Sequence, residues 1–276
     1  MSETARFFLL QTTLIAVVLV MHTYIGLHII RRTLIFSDLV LDQLAAFGAL
    51  IGVALGVRYG SGGSYVAAMV VVLVGAGLLA LIKPGSRAVP REAVIGILYV
   101  LALAGTLLLG DKLQGGASYV TKALSGAMLW VSWPLVGVTV VVYIGLLVFH
   151  YIFRGKFIAL AQKPGSLQNE RLWDFLFFTT QGIITVLIVP IAGVLLAYAF
   201  LMIPAAIAAM FTTRWAPAVL IGWSVGFVAC MIGLGSSYVF DFPYGPSIVL
   251  SLGVFFICAV AIRLALVTGS VPDEKG

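Results

Sequence analysis

A chain of 276 residues that is 62% hydrophobic and 9% charged, with a mean hydropathy of +1.16, cannot hide its apolar surface from water by folding alone, which excludes a soluble globular protein. The formal charge of +6 does not call for a nucleic-acid partner, because the 16 Lys and Arg residues cluster between apolar runs. Only Cys230 and Cys258 are present, each inside an apolar run, so neither a disulfide framework nor a CxxC metal site is encoded. The class left is an all-α polytopic integral membrane protein with a single transmembrane domain over residues 1–276.

A helix needs about 20 residues to cross ~30 Å of hydrocarbon. Cutting the apolar runs at that length predicts nine spans, at 7–30, 38–57, 64–83, 91–110, 125–152, 172–191, 193–212, 216–236 and 246–266. The first is too long for the apolar core of a signal peptide, has only Arg6 before it and lacks a small-residue cleavage site ahead of Arg31, so it reads as a retained span. Only Pro190 to Ala192 separates the sixth from the seventh, which leaves the count at eight to ten. Setting the Arg31–Arg32 turn in the cytoplasm and alternating sides puts 12 cations inside, with Lys83, Arg87, Arg91, Arg154, Lys156, Lys163, Arg171, Arg214, Arg263 and Lys275 among them. Four fall outside, Arg6, Arg58, Lys112 and Lys122. That bias orients the chain with its C-terminus in the cytoplasm.

In chain order, the first informative segment is the turnaround after span one. His22 and His28 lie about 240° apart on one helix, so an intact helix face does not offer both to one ion. His22 reads as a packing residue or a metal contact; His28 and His150 read as interfacial. In the second span Asp38, Asp42, Ala45, Ala49, Gly52 and Gly56 fall within about 80° of arc, giving a face of small residues with two acids at its start. Acids at membrane depth are costly and mark a path for polar or cationic cargo. The competing reading is tight helix packing, with Asp38 capping the helix after Ser37. Gln43 adds a neutral donor and acceptor beside Asp42.

The loops "RYGSGGS" and "KPGSRAVPRE" are plain turn chemistry. The longest inner loop, Phe153 to Asp174, differs: Phe157, Ile158, Leu160 and Ala161 form a short amphipathic turn that Pro164 and Gly165 stop. Docking onto a soluble partner and lying on lipid headgroups are both open to it. Pro190, Gly193 and Pro204 interrupt an apolar stretch, as is tolerated where neighbours or water satisfy freed backbone groups, often along a translocation path. On the outer side, the hairpin "GLGSSYVFDFPYGPSIVL" carries Tyr238 and Asp241, which read as a gate or as an interfacial aromatic turn.

Four segments, "RRTLIFSDLVLDQLAAFGALIGVALG", "ALSGAMLWVS", "GVLLAYAFLMIPAAIAAM" and "YVFDFPYGPSIVLSLGVFF", occur in an order and spacing that resembles the permease subunits of bacterial ATP-binding-cassette importers for zinc, manganese or iron. The resemblance covers nearly the whole chain. It implies the importer permease fold and a place in the bacterial cytoplasmic (inner) membrane. The partners it implies are a second copy of the chain, a dimer of ATPase subunits and an extracytoplasmic metal-binding protein. It also implies that the 153–174 loop is a coupling helix, with Phe157, Ile158, Leu160, Ala161 and Gln162 as docking residues. Many such relatives have a serine–histidine pair where this chain has Asp42 and Gln43; the exchange removes an imidazole, leaves oxygen ligands and weakens the case for zinc.

No Walker A pattern occurs, so ATP is hydrolysed by a separate chain and the protein is not itself an enzyme. The expected activity is alternating access for a divalent metal, with no permanently bound cofactor. Asp42, Asp38, Gln43 and His22 are the expected contacts along the path, Asp42 and His22 being the transient metal ligands. Two rivals are a permease for an iron chelate or cobalamin-like cofactor and an ATP-independent secondary transporter, which would predict internal repeats.

Overall fold

Ser2 opens α1 (Glu3–Arg31) by accepting the Ala5 amide at 3.2 Å, and the helix then runs through the middle of the bundle, with Ile15, Val18, Leu19, Met21 and Ile25 fully buried. This computed structural model describes residues 2–81, 90–126 and 131–268. Lys83, Arg87, the loop between α3 and α4 and the C-terminal residues with Lys275 lie outside the described residues, as does part of "ALSGAMLWVS".

Thr33, at φ 54°, closes a tight turn after Arg32, and α2 (Phe36–Ala54) leaves it to pack on α3, α4 and α8. The small-residue face of α2 meets α3 (Gly62–Leu81), where a Cβ on Gly48 would come within 2.8 Å of the Ala68 Cα. On its other side α2 packs on α4 (Arg91–Lys112). The predicted fifth span, 125–152, is shorter in the structure. A separate helix, α5 (Gly116–Ser125), ends at Gly126 with φ 81°, and α6 (Trp133–Ile152) begins where Pro134 suits a first helical turn. The short α7 (Arg154–Gln162) follows, then α8 (Glu170–Phe211), α9 (Trp215–Phe240) and α10 (Tyr244–Thr268).

The 42 residues of α8 would span about 63 Å as one straight helix. Yet Arg32 pairs with Asp174 near its start, and Arg31 donates to the Thr213 carbonyl at 2.8 Å just beyond its end. Both ends therefore meet one turn, and the helix doubles back at Gly193, whose φ of 76° and ψ of 162° no other residue type adopts without strain. The turn is seated on the backbone of Gly126 and Leu124. Its limbs, 170–192 and 194–211, each cross the bundle. Together with α1, α2, α3, α4, α6, α9 and α10 they make nine crossings among the described residues, which agrees with the predicted count. Among the described residues the regular structure is all helical.

The architecture is a buried centre of α1, α2 and both limbs of α8, ringed by α4, α6, α9 and α10, whose outer faces are apolar and exposed. Such a rim suits lipid or further protein. The bundle has two ends: one at Arg32, with α7, Asp174 and Trp215, and one at Gly193, with α5 and the α9–α10 turn.

Candidate functional site

Asp38 and Asp42, one turn apart on α2, are 2% and 1% exposed and face the first limb of α8. Along that limb Asp174, Gln181 and Thr185 fall within about 40° of arc, so one stripe meets the α1–α2 turn and the acids in sequence. Arg32 pairs with Asp174; two turns on, the Gln181 side-chain amide donates to Asp38 Oδ1 at 2.9 Å; one turn further, Thr185 hydrogen-bonds Asp42. The helix starts at Phe36 with Ile35 at the cap position and no side-chain cap bond, so Asp38 is not a cap, which corrects that reading. Its partner lies 143 residues away.

Asp38 Oδ2, Asp42 Oδ2 and Gln181 Oε1 are buried with no hydrogen-bond partner. Buried acceptors without donors are rare in folded proteins and costly, and a cation is one kind of group that such oxygens bind. Carboxylate and carbonyl oxygens favour hard or borderline ions such as magnesium, calcium or manganese. No group of three or more His, Cys, Asp or Glu side chains able to hold a metal occurs among the described residues. Two acids supplemented by an amide suit brief contact more than permanent capture.

The other expected site residues divide. His22 is 2% exposed, with Nδ1 3.0 Å from the Val18 carbonyl and 3.5 Å from the Tyr143 hydroxyl, its ring stacked on Tyr143 at 5.9 Å. Tyr143 of α6, which meets His22, and Tyr198 of α8 both feel the charge of Asp38 and Asp42, whereas no contact joins His22 itself to either acid among the described residues. Gln43 points away: its amide donates to Thr106 Oγ1 of α4 at 3.0 Å, because one residue of helix turns it about 100° from Asp42. His28 and His150, expected at an interface, are buried instead. His28 packs against Tyr24 and Trp215, and His150 bonds Thr180 at 2.9 Å.

Tyr238, in the last turn of α9, and Asp241 just after it are exposed, Tyr238 edge-on to Phe8 at 5.2 Å and Asp241 ending α9 at φ 53°. The structure does not bring them to the acids. In α7, Phe157 and Leu160 face inward: Phe157 stacks on His150 at 4.1 Å and meets Trp173 edge-on. Those two fasten α7 to the bundle and are closed to a docking partner, a correction to their expected role. Gln162 is exposed, Ile158 and Ala161 half-buried, and Arg154 and Lys156 exposed beside them.

Sequence reading missed Asp174 as an ion-pair partner, Gln181 and Thr185. The signal was present: polar residues within an apolar run, repeating at seven and then four places along one helical face.

A polytopic helical bundle with a polar seam through its middle defines a membrane transport subunit as a class. The profile of the ABC 3 transport family matches residues 5–263, and the chain belongs to that family. It is 26% identical to the manganese import system permease protein ScaB of Streptococcus parasanguinis, over 93% of this chain and 91% of that one. Identity is 23% to the manganese transport system membrane protein MntC of Halalkalibacterium halodurans, over 91% and 86%. Other relatives match over less: an uncharacterized membrane protein of Synechocystis is 26% identical over 62% of this chain, and the match spans 63% of that protein's length. The fold matches the solved structure of PsaBC from Streptococcus pneumoniae in complex with Fab, with a TM-score of 0.74 at 21% identity over 90% of each chain.

Proposed function

We propose that this chain is the membrane permease subunit of an ATP-driven importer for a divalent metal ion, and that manganese is the ion its seam fits best. The observation that carries this reading is the trio of unpartnered buried oxygens on Asp38, Asp42 and Gln181, on a seam that includes no imidazole or thiolate. Relatives whose names refer to manganese import support the same choice of ion.

In this reading the Arg32 end is cytoplasmic, as the distribution of Lys and Arg favours, and the chain works as a homodimer above two ATPase subunits. ATP-driven closure of those subunits moves α7, and Phe157 passes the motion to Trp173 on the limb that carries Asp174, Gln181 and Thr185. Shifting that limb against α2 exchanges Gln181 for the ion at Asp38 and then releases it inward. A metal-binding protein on the outer side supplies the ion, and no cofactor stays bound.

The test is reconstitution in proteoliposomes of the chain with an ATPase subunit that co-purifies with it and a metal-binding protein that stimulates that ATPase, with uptake of manganese, zinc and iron followed under ATP. ATP-dependent manganese uptake that excess zinc inhibits weakly is expected. Uptake that needs no ATPase, or no uptake of any of the three, rejects the proposal.

A further inference from the structure

Between α1, α6, α7 and α9, at the Arg32 end of the bundle, a cavity of about 740 Å³ opens on the exposed rim. Arg154 is the one Lys, Arg, Asp or Glu in its lining among the described residues, and apart from His150 the rest of the wall is apolar or aromatic. Trp223 already spends its indole N–H on the Ala16 carbonyl at 2.9 Å. The walls run from Trp215 to Trp223 on α9 and from Leu147 to Arg154 on α6. Those stretches are about 12 Å and about 10 Å long, most of the depth of one leaflet of a hydrocarbon core ~30 Å thick. Water does not fill an apolar slot, and a soluble protein does not reach that far into the bilayer. At the shallow end the Arg154 guanidinium lies over the Tyr151 ring, 4.7 Å from its centre, and Ile158 borders the space from one turn further along α7. Trp215, at the same end, carries Arg31 over its ring at 3.8 Å.

We propose that this cavity binds an anionic phospholipid of the leaflet at the Arg32 end, one acyl chain lying against α1 between α6 and α9 and the phosphate resting on Arg154. A helix from another subunit could fill the slot by shape; the guanidinium at its shallow end favours the lipid, whose phosphate always lies at that depth. In the orientation proposed above this is the cytoplasmic leaflet, the one rich in anionic lipid. Binding of the lipid does not depend on what the chain transports. Its consequence does rest on the importer reading: Arg154 and Ile158 belong to α7, which passes the motion of the ATPase to α8, so a lipid that ties α7 to α6 makes that step sensitive to the surrounding leaflet.

The experiment titrates the full chain in detergent with phosphatidylglycerol, with phosphatidylcholine of the same acyl chains and with inorganic phosphate, and reads the first bound lipid by native mass spectrometry. Wild type is expected to bind phosphatidylglycerol about fivefold more tightly than phosphatidylcholine. Arg154→Gln should remove that preference and leave phosphatidylcholine binding as it was. Ala216→Trp, which fills the slot from an exposed position, should weaken binding of both lipids; melting temperatures without lipid confirm that each variant folds. A phosphatidylglycerol with a photoreactive group in its acyl chain should mark Val148 or Leu220. No preference in wild type, or the same preference in wild type and both variants, overturns the proposal. So does a preference that inorganic phosphate alone abolishes, which assigns Arg154 to a free anion, or cross-linking of one copy to another through Val148, which gives the slot to a second chain. In the assembled complex, ATPase activity should rise with phosphatidylglycerol content in wild type and not in Arg154→Gln. Bound lipid with a flat ATPase response overturns the consequence for coupling alone, and a chain that binds no ATPase overturns the importer reading while the lipid site stands.

Discussion

The two limbs of α8 have similar lengths and are similarly buried, yet they are chemically opposite. The first carries Asp174, Thr180, Gln181 and Thr185, all buried. The second, from Val194 to Phe211, has Tyr198 as its one hydroxyl and is otherwise wholly apolar, built of Ala, Leu, Ile, Val, Met, Phe and Pro. Each of these four answers a polar residue on a neighbour: Arg32, His150, Asp38 and Asp42 in turn. The second limb packs instead: Gly26 of α1 lies against the Leu201 backbone, and Gly222 and Gly226 of α9 against Pro204. Equal burial thus covers two kinds of surface: apolar packing around Pro204, and around Asp42 buried carboxylate and amide oxygens left without a donor.

The largest expected effect comes from the first limb's ion pair. Asp174→Ala strands Arg32, 7% exposed at its side chain, and should cost about 3–5 kcal/mol of stability, read as a lower melting temperature in detergent. Replacing both partners together, as Arg32→Met with Asp174→Leu, should recover most of that loss; if it does not, the pair is not what holds the two elements together. Next, Asp42→Ala should lower ATP-driven manganese uptake by more than about 100-fold while the complex still assembles, and wild-type uptake in that variant removes Asp42 from the path. On the second limb, Gly26→Val should cost about 1–3 kcal/mol through overpacking, with uptake per folded complex kept. A drop in uptake per folded complex would mean that the second limb also serves the path. The smallest effect is one of preference: Gln181→His places an imidazole at the seam and should move manganese-over-zinc selectivity by about tenfold toward zinc, measured by competition uptake.

The nine crossings were legible because apolar runs of helical length, with Pro and Gly between them, are the strongest signal a membrane chain carries. Even the reversal of α8 showed in Pro190 and Gly193. Helix α5 did not, because "GASYVTKALS" has neither the length nor the hydropathy of a span and fell in the connection between the predicted spans 91–110 and 125–152. Asp38 and Asp42 stood out as acids in an apolar run, but their surroundings did not. The Gln181 contact joins residues 143 positions apart, and no local pattern announces it. Gln43 is instructive in the other direction: adjacency in sequence put it beside Asp42, while helical geometry already turned it toward α4. Phe157 and Leu160 form the apolar stripe that made α7 visible, and that same stripe is what the bundle covers.

Because Arg31 and Arg32 are neighbours in the chain, the clasp that holds Asp174 and Thr213 is in effect a single knot tying both feet of the α8 hairpin. The limbs cannot slide past each other without undoing it, and at the far end their bend is seated on the backbone of Gly126 and Leu124. If the hairpin tilts as one body about those feet in the proposed transport cycle, its widest travel is at the bend. A force applied there has the longest lever arm the protein offers.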